Sequence, residues 1–327
     1  MARILTGIQS TGTPHLGNIL GAIVPAIELA KKEDNESFLF IADMHSLTQI
    51  KDGQELKNNT LSTAATWLAF GIDPEQTVFY RQSDIPEVTE LTWYLMCHYP
   101  FSRLNLAHSF KDKADRLEDV NAGLFTYPML MAADILIYDA EVVPVGKDQL
   151  QHLEMTRDVA ARFNNKMGET FILPQDKVQK DTMLIPGTDG QKMSKSRDNF
   201  INIFLPEKKL RKKIMSIATD SLGLEDKKNP DTCNVFALYK LLASEEQIKT
   251  IREKYEAGGF GYGHAKQELF ELILDKFSTQ RKVYDDLMAN PERIEDALQI
   301  GAKKARIVAH SVLKRVREKV GFSTVNS

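Results

Sequence analysis

Gly7-Ile8-Gln9-Ser10-Thr11-Gly12-Thr13-Pro14-His15-Leu16-Gly17-Asn18 is the stretch that sets the fold. It follows Arg3-Ile4-Leu5-Thr6, a short apolar run suited to a buried strand, and precedes Ile19 to Lys32, an apolar-rich segment at helical spacing. A strand, a glycine loop and a helix in that order suit anion binding. Glycines let the backbone approach a phosphate, and the free N–H groups at a helix start attract negative charge. His15 and Asn18 fall on the first helical turn and can donate into the same space. Taken alone, Gly7 and Gly12 also fit an ordinary βα turn. The loop lacks the Lys-Ser/Thr ending of a P-loop and the spacing of a dinucleotide fingerprint.

The alternation continues. Phe38 to Ala42 reads as a strand, Gln54 to Phe70 as a helix closed by Gly71 and the turn Asp73-Pro74, and Val78-Phe79-Tyr80 as a strand. A helix through Ile135-Leu136-Ile137 leads to a fourth strand, Val142-Val143-Pro144-Val145. The pattern predicts an α/β fold: a Rossmann-type parallel sheet with helices on both faces. Ligands bind such sheets at the carboxyl ends of the strands. The Gly7 loop, Asp43-Met44-His45 and Gly146 to Gln149 all lie just past a strand, so they can converge. Pro174 to Lys192, rich in Pro, Gly, Asp and Lys, reads as loop leading into Lys192-Met193-Ser194-Lys195-Ser196. From about Asn199 onward the pattern is that of an α-helical C-terminal domain, with turns at Asn229-Pro230, Gly258-Gly259 and Asn290-Pro291. The last helix is expected from about Ala302 to Val320, with Ala305, Val308, Val312, Val316 and Val320 on one face and Gly321 as its C-cap. Its other face is dense in Lys and Arg, and is either solvated or placed near RNA.

Composition narrows the function. Forty-five acidic residues against forty-two basic ones leave a net charge of −3, so any nucleic-acid surface must be local. Cys97 and Cys233 are too few and too far apart for a disulfide scaffold or a zinc site, and fit a reducing cytosol. The N-terminus lacks a signal-peptide shape, and no apolar run approaches the roughly 18 residues a membrane span needs. The expectation is a cytoplasmic protein with no membrane partner.

His15-Leu16-Gly17-Asn18 and Lys192-Met193-Ser194-Lys195-Ser196 together resemble the paired signatures of class I aminoacyl-tRNA synthetases. The resemblance runs on through Asp43-Met44-His45, Ala122-Gly123-Leu124, Tyr127-Pro128, Met131 to Leu136 and Val143 to Gln149, and so covers nearly the whole chain. That set, in that order, is similar to the bacterial tryptophan branch of the class. It implies ATP and L-tryptophan as substrates, tRNA(Trp) as acceptor, and Mg2+ that arrives with ATP and has no protein-bound metal site. Activation drives a carboxylate onto the α-phosphate and expels pyrophosphate, so the protein must align groups and stabilise charge. The resemblance assigns that work to His15, Asn18, Lys192, Lys195 and one lysine of Phe110-Lys111-Asp112-Lys113, taken as Lys113 with Lys111 second. It implies ATP contacts from Gln9, Ser10, Thr11, Gly17, Asn18, Gly146, Lys147, Asp148, Met183, Lys192, Met193, Ser194, Lys195 and Ser196.

Thr126 to Tyr138 reads as a buried helix in which Asp134 is the only charge. A carboxylate there is costly unless paired. It is either an internal cap or ion pair, or it accepts the indole N–H of tryptophan, as the resemblance implies. The resemblance adds Leu5, Gly7, Gln9, His45, Tyr127, Met131, Val143, Val145 and Gln149 around the substrate. The tyrosine branch shares both signatures but normally carries a tyrosine on the first strand, where this chain has Leu5-Thr6-Gly7. A catalytically silent tRNA- or nucleotide-binding paralogue is the other alternative, and the intact His15, Asn18, Lys192 and Lys195 argue against it. Two departures matter. Gln9-Ser10-Thr11-Gly12 replaces the usual Gln-Pro-Ser-Gly and leaves the loop's stiffness open, and Lys147 stands where the pattern has Glu.

The implied organisation is a catalytic domain over 1–198 with an insertion at about 103–187 forming a homodimer interface. A helical anticodon-binding domain over 199–300 and a helix in 301–327 packing back on the catalytic domain complete it. The run Lys208-Lys209-Leu210-Arg211-Lys212-Lys213 is a candidate for phosphate contacts or a solvated helix face.

Overall fold

The computed structural model describes residues 2–32, 34–106, 120–146, 149–178 and 185–323. Five strands form one sheet: β1 (Ala2–Ile8), β2 (Asn35–Ile41), β3 (Val78–Arg81), β4 (Val142–Val145) and β5 (Gln175–Val178), in the order β3-β2-β1-β4-β5. Every pairing is parallel, as the strand–helix alternation predicts. β5 corrects the reading of 174–192 as loop: Gln175 to Val178 pair with Val142 to Val145. Gln-Asp-Lys-Val has neither an apolar run nor an apolar alternation, so it carries no strand signal.

Both faces of the sheet are covered, and the residues alternate accordingly. Leu39, Ile41 and Phe79 face one core, which continues without a break into the helical C-terminal half through Ile201, Ile203, Leu210, Phe236 and Leu269. Leu5, Phe38, Phe40 and Tyr80 face the other. β1 runs two residues further than its apolar run suggests. Gly7 pairs with Phe40 inside the ladder, and a Cβ at Gly7 would lie 2.4 Å from the Phe40 ring. The loop proper therefore starts at Gln9.

After the loop come α1 (Leu16–Asn18), a π-helical stretch Ile19–Ile23 and α2 (Val24–Ala30). The uniform helix expected there is interrupted because Pro25 has no N–H for the ladder. α3 (Asp43–Ser46) follows β2, and α4 (Gly53–Ala69) starts at Asp52, whose side chain accepts from the Glu55 N–H at 2.8 Å. α5 (Glu87–His98), α6 (Phe101–Leu104), α7 (Ala122–Leu136) and α8 (Leu150–Met167) complete the sheet's cover, and α9 (Glu207–Met215), α10 (Asn234–Leu242), α11 (Glu245–Ala257), α12 (Tyr262–Lys276) and α13 (Ser278–Ala289) form the helical half.

The last helix, α14 (Pro291–Lys319), is 29 residues long and starts well before the expected Ala302. Gly301, a weak helix former, hides the continuation. It is there because α14 crosses β3 so closely that a Cβ would sit 1.7 Å from the Phe79 carbonyl oxygen. The basic face of α14 is partly spoken for: Arg306 pairs with Glu87, Arg315 with Asp139 and Arg317 with Glu90. Gly301→Ala is expected to lower stability by about 3 kcal/mol or more, because backbone and not a side chain must give way. Chemical denaturation of the variant checks this, and an unchanged midpoint would contradict the close crossing. No helix among the described residues is long and apolar enough to cross a membrane.

Candidate active site

The carboxyl end of β1 opens on a cleft of about 680 Å³. It brings Gln9, Thr11, Gly17 and Asn18 of the first signature to Lys192, Met193, Ser194, Lys195 and Ser196 of the second, with Gly7 and Gln149 also on its wall.

The first signature is a helix cap. The Asn18 N–H donates to His15 Nδ1 at 3.2 Å, and the His15 N–H donates to Asn18 Oδ1 at 3.2 Å. With Nδ1 accepting, the ring proton sits on Nε2. Burial, and then the nearby Lys195 charge, push the His15 imidazole down to about 4, so it is neutral near pH 7. A neutral histidine whose Nδ1 is engaged presents one N–H donor.

The second signature packs directly on the first. Met193 is buried, and its sulfur accepts from the Gly17 N–H at 3.3 Å. A Cβ at Gly17 would meet the His15 ring at 3.0 Å and Met193 at 3.4 Å. Lys195 Nζ donates to the Gly12 carbonyl at 2.7 Å. Gly12 has φ +119°, which a side chain would strain. Burial pushes the Lys195 ammonium down to about 8. Lys192 is exposed on the cleft wall.

Ser10, expected among the ATP contacts, is fully buried behind the loop. Ser46 Oγ accepts from its N–H at 3.1 Å, and its hydroxyl takes a hydrogen bond from Thr60 at 3.1 Å. Hydroxyls thus hold the Ser10 segment in place. Asn199 was missed by sequence reasoning. It is buried, accepts from the Ser194 N–H at 2.7 Å, and donates to the Lys192 carbonyl at 3.1 Å and to Asp189 at 2.7 Å, so it brackets Met193 from both sides. Its position just beyond the lysine motif was the available clue.

Beside the cleft lies a buried polar cluster. Asp134, 2% exposed, accepts from His45 Nε2 at 2.8 Å and from Gln82 Nε2 at 2.8 and 2.9 Å. Burial raises its carboxyl despite those donors. Gln82, also missed, is fully buried and uses its Oε1 to accept from the Met44 N–H at 3.1 Å. It sits just past β3, where the same strand-end rule that singled out His45 applies. Leu5, Val143 and Val145 are buried in one apolar cluster, with Met131 packed against it. The Tyr127 hydroxyl bonds with His152 Nε2 at 2.9 Å, and its ring stands edge-on to His45. Of the expected tryptophan contacts, then, Gly7, Gln9 and Gln149 line the cleft, Leu5, His45, Tyr127, Asp134, Val143 and Val145 are buried, and Met131 is half-buried.

Gly146 ends β4's exit. Lys147, Asp148, Met183, Lys113 and Lys111 lie outside the described residues. Among the described residues no group of three or more His, Cys, Asp or Glu side chains could hold a metal ion.

Residues 1–278 match the family of class I tRNA synthetases for W and Y. The tryptophan–tRNA ligase of Campylobacter jejuni is 46% identical over 320 residues, covering 98% of this chain and 100% of that protein. The tryptophan–tRNA ligase of Rhodopirellula baltica is 48% identical, covering 98% and 99%. The crystal structure of the Campylobacter jejuni tryptophanyl-tRNA synthetase complexed with ADP and tryptophan superposes with a TM-score of 0.95 at 46% identity, covering 98% of this chain and 100% of that one. The chain therefore belongs to the class I aminoacyl-tRNA synthetases, in the family that handles tryptophan and tyrosine. Within it, the relatives at 46–48% identity are tryptophan enzymes.

Proposed function

We infer that the chain is a tryptophan–tRNA ligase, which joins L-tryptophan to ATP as tryptophanyl-adenylate and passes it to tRNA(Trp). The observation that carries the reading is the hydrogen bond from Lys195 to the Gly12 carbonyl, which joins the two signatures along the wall of one cleft. The tryptophan carboxylate attacks the α-phosphorus, the bond to the bridging oxygen breaks, and pyrophosphate leaves. The neutral His15 supplies Nε2–H, and Asn18 and the Gly17 N–H lie beside it, all suited to the phosphate oxygens. Lys195 exchanges the Gly12 carbonyl for a phosphate oxygen and, with Lys192, follows the charge that develops on the leaving group. Lys113 is assigned to the same phosphates. Mg2+ is expected to arrive on ATP, held by phosphate and water. The 2′-hydroxyl of the terminal tRNA ribose then attacks the carbonyl of the adenylate and releases AMP.

Asp134, held by His45 and Gln82, is assigned to the indole N–H. Leu5, Met131, Val143 and Val145 would form the apolar walls, and Gln9, Tyr127 and Gln149 would meet the amino and carboxylate groups. We assign 199–300 to the anticodon end of the tRNA. A second copy of the chain is expected to cover the insertion, where Leu106 and Ile172 are 62% and 48% exposed. The reaction is placed in the cytoplasm.

ATP–pyrophosphate exchange, run with each amino acid in turn, tests the reading. Exchange with tryptophan alone is expected. Exchange with tyrosine would overturn the pocket, and none with any amino acid would overturn the reaction.

A further inference from the structure

The loop that carries His15 is tied to a residue far away in the helical half. Ser62 on α4 donates to Thr13 Oγ1 at 2.8 Å, and the Tyr284 hydroxyl on α13 bonds with Ser62 Oγ at 2.8 Å. With Ser62 donating to Thr13, Tyr284 donates to Ser62. Burial raises the Tyr284 phenol, so it stays protonated and keeps that role at any physiological pH. Thr13 follows Gly12, whose carbonyl holds Lys195, and lies two residues before His15.

The same helix grips the other signature. The Tyr284 ring stacks on Phe204, centroids 3.9 Å apart and 15° from parallel. Arg281, one turn earlier on α13, donates to the Ile203 carbonyl. The 201–204 segment leads directly out of the lysine motif, and its Ile201 carbonyl accepts from the Leu16 N–H at 2.8 Å. Tyr284 therefore links the two segments that line the cleft: it reaches the Thr13 loop through Ser62, and it stacks its ring on the segment that follows the lysine motif.

We propose that Tyr284 is a positioning residue for ATP, fixing through Ser62 and Thr13 the distance between the His15 loop and the lysine motif. It touches no reacting atom. Its hydroxyl limits how far the Gly12-Thr13 corner can drift, and its ring holds the exit of the lysine motif in the same frame. The effect should fall on the nucleotide, because Asp134, His45 and Gln82 belong to a separate hydrogen-bonded cluster. The proposal rests on the assignment of the cleft to ATP.

Tyr284→Phe keeps the stack on Phe204 and removes only the hydroxyl. Thr13→Val removes the other end of the chain at nearly constant shape. Calorimetric titration of the full-length protein with ATP, and separately with tryptophan, reads the effect. Each variant is expected to weaken ATP binding by roughly 3- to 10-fold, the usual value of one neutral hydrogen bond. Tryptophan binding should not change. The double variant should be no weaker than either single one, since both break the same chain. Unchanged ATP affinity in Tyr284→Phe, equal losses for ATP and tryptophan, or additive losses in the double variant would each overturn the proposal. Exchange activity of the unaltered protein is measured alongside. ATP binding without exchange would sink the reaction assigned above and leave the positioning role standing.

Discussion

Lys195→Ala is expected to slow adenylate formation by about 10²- to 10³-fold while leaving tryptophan affinity nearly intact, the usual result of removing one preorganised donor from developing charge. The side chain is half enclosed and bonded to a backbone carbonyl, an acceptor that repays only part of the cost of burying an ammonium. A phosphate oxygen carrying negative charge is the better partner, so the interaction grows as pyrophosphate leaves. The pH dependence follows. A lysine pushed down to about 8 carries its charge below that pH and loses it above. In the unliganded protein the apparent second-order rate constant for ATP should therefore fall as pH rises through about 8. In Lys195→Ala that limb should vanish. The His15 imidazole should titrate higher in the same variant, because a positive neighbour that opposed its protonation has gone. A His15 resonance that titrates as before would separate the two residues and weaken the cleft assignment.

Asp134→Ala should raise the KM for tryptophan by about 10²-fold or more and leave that for ATP unchanged. One part of the loss is the charge-assisted bond assigned to the indole N–H, worth about 1.5–3 kcal/mol. The other is local: His45 and Gln82 both donate to this carboxylate, and its removal leaves two buried donors unpaired. Gln82 also holds the Met44 N–H, so its reorientation would disturb the turn that carries His45. Asp134→Asn separates the contributions. It keeps the volume but presents an N–H₂ that cannot accept from all three groups. Exchange assays with tryptophan and a series of indole-nitrogen-blocked analogues check this: the unaltered protein should reject the blocked analogues, and the variants should not. Equal discrimination in both would remove Asp134 from recognition.

What the sequence made legible was periodic or letter-specific. The first four strands announce themselves because a parallel sheet covered on both faces is built from apolar runs. The two signatures could be found because glycines, His15 and the lysines have few other reasons to occur in that order. β5 was not legible, since Gln-Asp-Lys-Val offers no apolar run or alternation to read, unlike β3 at the opposite edge. Nor was the start of α14, because Gly301 answers to a contact with Phe79 that lies more than two hundred residues back in the chain. The burial of Ser10, which the resemblance set among the ATP contacts, was hidden for a related reason: its partners Ser46 and Thr60 come from elements that only the fold brings near. Gln82 and Asn199 are common polar residues, and only their burial against Asp134 and the lysine motif distinguishes them.

The close crossing of α14 over β3 also orders events during synthesis. β3 and α5 leave the ribosome long before the helix that covers them, and Ala305, Ala309, Val312 and Val316 of that helix pack into the same core as Tyr80, Val88 and Leu91. Until those residues emerge, the nascent chain carries an uncovered apolar face. Its final cooperative step must therefore wait for α14 to emerge, a late closure between distant parts of the chain that is slow and exposed to aggregation. A polypeptide that stops short of α14 would keep that face open permanently.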